Sequence, residues 1–174
     1  MLKKLIILSL LVSFVSVTGY VCALDLKSFS FREGTYIPKK YTCSGGNYSP
    51  SLEWSDVPSN TESFAIICDD PDAPGGVWVH WVIFNIPGNV TRLRENIPKV
   101  YQLPNGAIQG VNDFGRIGYG GPCPPPGRPH RYFFKLYALD TKLNLSGKVT
   151  KEELLSAMRG HVLDKACLMG FYSR

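Results

Sequence analysis

The sequence predicts a mainly β chain, an antiparallel β-sandwich with a helix near the C-terminus, and three observations predict it. The runs SFAIICD (63–69), VWVHWVIFNI (77–86) and RYFFKLYALD (131–140) are rich in β-branched and aromatic residues, which suit a pleated, half-buried surface. Between the apolar stretches of the chain lie dense turn signals, SGGN, DVPSN, PDAPGG, IPGN and LPNG. Only one segment begins like a helix. Thr150 with Glu153 three residues on forms a capping box, Leu154, Leu155 and Met158 supply an apolar face, and Gly160 closes the end before a last strand, ACLMGFY.

Residues 1–23, MLKKLIILSLLVSFVSVTGYVCA, read as a secretory signal peptide: Lys3 and Lys4, an apolar run short for a membrane span, then small residues. Val21 and Ala23 suit a cut that leaves Leu24 first. Cys22 offers a rival reading as a lipidated cysteine, against which bulky Tyr20 and Val21 argue, and an uncleaved anchor is a third. The expected organisation is therefore a leader over 1–23 and one domain over 24–174, in the periplasm or outside the cell. A chain of roughly 150 residues can bury a real core.

The net charge of +5 includes the two leader lysines, and the remaining basic residues are scattered, with no Lys/Arg stripe interleaved with aromatics. Nucleic acid is not an expected partner; a small anion is. Beyond the leader stand Cys43, Cys68, Cys123 and Cys167, and four cysteines allow three pairings. Cys43 and Cys123 lie in Gly/Pro-rich loops, whereas Cys68 and Cys167 lie in apolar runs and read as buried thiols. The expected bridge is Cys43–Cys123. No CxxC or close Cys/His pair suggests zinc.

Three stretches carry chemistry. In CDDPDAPGG (68–76) two prolines stiffen the loop, and Asp70 and Asp72 face the same way if it is extended; the plain alternative is that both cap their own turn. In VWVHWVIFNI, alternation places Trp78, His80, Val82 and Phe84 on one face, so His80 is expected to be buried and to need a partner. In GPCPPPGRPHRY (121–132), His130 and Tyr132 project together while Arg131 points away. Gly118, Gly120 and Gly121 just before them let backbone N–H groups form an anion-binding nest.

DPDAP, the His-Trp pair inside a strand and the Gly/Pro-rich segment ending in His-Arg-Tyr together resemble the phosphatidylethanolamine-binding protein family, also called Raf kinase inhibitor-like, most of all its bacterial and archaeal branch. The resemblance spans about 27–174 and also takes in YTCSGGNYSP and HVLDKACLMGFYSR. It implies a central antiparallel β fold with an anion pocket for phosphate, acetate or a phospho-headgroup. Carried over residue by residue, it assigns Asp70, His80, Gly121, Pro122, His130 and Tyr132 to that pocket, with Asp72 beside them. It implies no cofactor and no metal. The kinase-inhibitory role of animal members is not carried over, since it depends on intracellular partners and on regions outside the pocket.

Two other classes remain as alternatives. One is an inhibitor or modulator of a partner protein such as a hydrolase or kinase; the other is a metal-dependent or acid/base enzyme using Asp70, His80 and His130. The second lacks HExxH, a GxSxG elbow and a third nearby histidine, His161 lying past the helix. The chain is thus read as a binding protein before an enzyme. A protein partner and a homodimer stay open, and no stable membrane span is expected in the mature form.

Overall fold

Strands form where the sequence alternates or runs apolar: β1 (Asp25–Lys27), β2 (Thr35–Tyr36), β3 (Leu52–Ser55), β4 (Ser63–Asp70), β5 (Trp78–Pro87), β6 (Arg92–Leu93), β7 (Ile108–Gln109), β8 (His130–Leu139) and, after helix α1 (Lys151–Ala157), β9 (Val162–Tyr172). The computed structural model describes residues 23–174; residues 1–22, and with them the leader reading, lie outside the described residues. The strands make two sheets, β1-β3-β6 and β2-β9-β8-β4-β5-β7, antiparallel throughout except for the short β2–β9 pair.

One face of the large sheet, with Phe64, Ile66, Trp81 and Phe134, packs against Leu26, Leu52 and Trp54 of the small one. The opposite face, with Ala65, Ile67, Val82 and Phe84, is covered by Leu143, Val149 and Leu154 of α1. Strand β4 is covered on both sides and buried from end to end, which is why its sequence is an unbroken apolar run until Asp69. Asp69 is itself buried and accepts from Lys135 Nζ at 2.8 Å and Lys151 Nζ at 2.6 Å, tying α1 to the sheet.

The capping box is formed: Thr150 Oγ1 accepts from Glu153 N–H, and Glu153 Oε2 accepts from Thr150 N–H at 2.8 Å. Thr150→Ala is expected to cost about 1 kcal/mol of stability, read from the denaturant midpoint. A change within error would show that α1 is held by Lys151 and Leu154 and not by its cap.

Strand alternation misplaces one residue. The β4–β5 register passes from Cys68↔Trp81 to Asp69↔Val79, so His80 is the extra residue of a β-bulge. Val82 and Phe84 therefore face the helix layer, while the His80 ring lies with Trp81 on the inter-sheet side, edge-on to Tyr132 at 5.2 Å. The expected companionship of His80 with Val82 and Phe84 is overturned by that single inserted residue.

Candidate functional site

The end of β4, the start of β5 and the start of β8 bring Asp70, Trp78, His80, His130 and Tyr132 to one end of the large sheet. Asp70 Oδ2 is 2.8 Å from His130 Nδ1, both side chains being almost wholly buried. Its other oxygen, Oδ1, accepts from the Asp72 N–H at 2.8 Å. One carboxylate thus caps its own turn and orients a histidine. His80 Nδ1 is 2.6 Å from the Gly120 carbonyl. A carbonyl and a carboxylate only accept, so each Nδ1 carries a proton, and Nε2 is the nitrogen each ring has left for a ligand. Burial pushes the His80 pKa below its ordinary value; the bond to Gly120 and the charge of Asp70 oppose that only in part.

His80, His130 and Asp70 line a cleft of about 190 Å³. Its walls are Trp78, Phe114, Pro74, Pro124 and Pro125, with Phe114 edge-on to both Trp78 and His80 at 5.4 Å. A few polar groups on a stiff apolar surround describe a small-molecule site, and this volume suits an anionic group or headgroup more than a drug-sized body.

The other residues singled out in the sequence stand differently. Asp72 does not face the cleft beside Asp70: Arg131 donates to it from its backbone N–H and Nε at 2.9 Å and from Nη2 at 2.8 Å. That pairing holds the Asp72 carboxyl down at about 2. Arg131 points away from the cleft, as alternation requires. The Tyr132 hydroxyl is buried without a hydrogen-bond partner, and burial followed by the Asp70 charge pushes its pKa up.

The glycines do not form a nest of free amides. Gly120 N–H donates to the His80 carbonyl at 2.8 Å, Gly118 N–H to the Gly110 carbonyl at 3.4 Å, and Gly121 N–H to Asn47 Oδ1 at 2.7 Å. Gly121 and Pro122 close a loop contact instead, the Pro122 carbonyl accepting from Cys43 N–H at 3.1 Å. A Cβ at Gly121 would stand 2.4 Å from the Tyr41 carbonyl oxygen, so glycine is needed for this approach. The disulfide Cys43–Cys123 staples the same two loops. Cys68 is a buried thiol, whereas Cys167 is exposed, against expectation, because its neighbours Ala166 and Leu168 turn into the core and leave it on the other face of β9, outside the cluster that α1 covers. Phe114 and the Gly120 carbonyl carry no sequence signal for the site; they arrive through contacts distant along the chain.

Among the described residues no three His, Cys, Asp or Glu side chains are grouped as a metal site, and no helix is long and apolar enough to cross a membrane. The chain is of the mainly β, two-sheet class with a His/His/Asp cleft at one end of the large sheet, and comparison with known proteins gives the family. The profile of the phosphatidylethanolamine-binding protein family matches residues 27–173, and the chain belongs to that family. It is 56% identical to a UPF0098 protein of Methanothermobacter thermautotrophicus over 151 residues, covering 87% of this chain and 99% of that one. A UPF0098 protein of Aquifex aeolicus is 45% identical over 168 residues, covering 95% and 98%. Among solved structures, E. coli YbcL, described as a member of the mammalian PEBP family, superposes with a TM-score of 0.82 at 37% identity over 88% of this chain and 99% of its own. A putative homologue from Chlamydia trachomatis gives 0.80 at 44% over 87% and 98%.

Proposed function

We propose that this protein binds a small oxyanion or phosphorylated headgroup in the cleft between His80 and His130, and that it does so in the periplasm or outside the cell. The observation that carries the first part is the pair of rings. Each histidine has its Nδ1 committed to a protein acceptor, and each lines the cleft with Nε2 still to be satisfied. Protonated, the two rings are charge-assisted donors set in a rigid frame, which is what an oxyanion requires. Among the described residues no hydroxyl and no free thiol lines the cleft, its cysteine being oxidised, and the Asp70–His130 pair is read as a device for binding. The leader pattern and the disulfide support export.

The test is an NMR titration with inorganic phosphate and phosphorylethanolamine, following the His80 and His130 ring signals. Both rings should shift together and saturate. His80→Ala is expected to weaken binding by roughly tenfold to a hundredfold, the effect of removing one charged hydrogen bond. Unchanged affinity in that variant would place the ligand elsewhere. Export is checked by fractionation and intact mass, an uncut chain recovered from the cytosol being the result that refutes it.

A further inference from the structure

Phe114 and Cys123 wall the cleft, and both also line a neighbouring cavity of about 250 Å³. The geometry points to a second oxyanion subsite in that cavity, formed by Lys99 and Arg116. Its lining includes these two cations and the amide side chains of Asn47 and Asn112, and no carboxylate. Among the described residues neither cation has a salt-bridge partner. Asn47 Oδ1 accepts from Gly121 N–H, which fixes the amide so that its NH2 group keeps both donors uncommitted among the described residues.

Scattered surface cations are ordinarily just solvated. These two differ in being mounted on loops that buried amides hold in place. Asn112 Oδ1 accepts from the Phe114 and Arg116 N–H groups at 3.0 and 3.1 Å, and its Nδ2 donates to the Gly118 carbonyl at 2.8 Å. Gln109 Nε2 donates to the carbonyls on either side of Lys99, Pro98 at 2.7 Å and Val100 at 2.8 Å, while its Oε1 accepts from Trp81 Nε1. Both amides are buried, and the Trp81 bond anchors the Lys99 segment to β5, the strand that carries His80.

Two like-charged residues line one cavity, and no carboxylate lines it with them. Partial burial, and after it the charge of Arg116, pushes the Lys99 pKa down, a cost an incoming anion would remove. The Arg fork and the Lys point charge suit an oxyanion group, phosphate or carboxylate. With the cleft next door, the whole suits a ligand carrying two anionic groups, a statement that rests on the cleft reading; the subsite itself does not.

The experiment uses the whole protein and the Lys99→Met/Arg116→Met double variant. Inorganic phosphate and, separately, acetate are titrated while the Arg116 Nε–H, Lys99 ε-methylene and the two histidine rings are followed by NMR. Saturable shifts at Arg116 and Lys99 are expected, with phosphate stronger than acetate if the group is a phosphate and the reverse if it is a carboxylate. In the double variant the histidine shifts should keep their midpoint. A bisphosphate with a flexible alkyl linker should bind the double variant roughly tenfold more weakly than the parent. Silent or unsaturable Arg116 and Lys99 signals with responsive histidines overturn the subsite and leave the cleft standing. Saturation at Arg116 with silent histidines does the opposite, and silence at both refutes both.

Discussion

Replacing Cys43 and Cys123 together by alanine is expected to lower the stability of the folded chain by about 4 kcal/mol in the chain-entropy account of disulfides. The bridge closes a sequence separation of 80, so its loss frees a large part of the unfolded ensemble. The native loops keep other ties: Cys43 N–H to the Pro122 carbonyl, Gly121 N–H to Asn47 Oδ1, and Tyr119 Oη–H to the Tyr41 carbonyl at 2.9 Å. The fold should therefore survive, with the denaturant midpoint lowered. A drop below about 1 kcal/mol would show that these hydrogen bonds, and not the sulfurs, hold the loops together. Cys123 lines both cavities, so ligand affinity in the same variant reports whether the staple also shapes the walls.

What could be read in the sequence is what is local. The long strands β4, β5 and β8 follow from runs of β-branched and aromatic residues, and the cap of α1 from two residues three apart. Asp70, His80 and His130 stood out because each breaks an apolar or proline-stiffened context. Most of the misses share one cause, namely partners supplied by another segment of the chain. The bulge at His80 belongs to the pairing of β5 with β4, a property of two strands at once. Asp72 looks like a second cleft carboxylate until Arg131, 59 residues on, takes it. The glycine amides look free until Asn47, 74 residues away, meets Gly121. Lys99 and Arg116 are unremarkable in a scattered basic sequence, and only the loops pinned by Gln109 and Asn112 bring them to one cavity.

Sulfate affinity at the cleft is expected to fall about tenfold for each pH unit above the depressed pKa of His80, if one proton is taken up with each anion. Sulfate is the cleaner probe because phosphate changes its own charge near pH 6 to 7. The reason lies in the Gly120 carbonyl, which can only accept and so keeps the proton of neutral His80 on Nδ1. The Nε2 lone pair then repels an anion, and only the imidazolium can donate to it. Burial lowers the His80 pKa from 6.5, so the His80 ring of the empty site is neutral in mildly alkaline solution and takes up its proton with the ligand.

The stability of the empty protein should carry the opposite sign. Below about 6.5 the unfolded chain binds a proton that folded His80 resists, so the contribution of His80 is complete above that pH and is lost as pH falls. With sulfate bound, protonation becomes favourable, and the stabilising increment from sulfate should grow as pH falls. Calorimetric titration and thermal melts on one preparation, from pH 5.5 to 8, give both curves. His80→Gln keeps a neutral donor; it should bind more weakly at low pH and lose the share of the slope that His80 supplies. A flat sulfate affinity in the parent protein would mean that no imidazolium holds the anion, and the ligand would then have to be one that donates a hydrogen bond to Nε2.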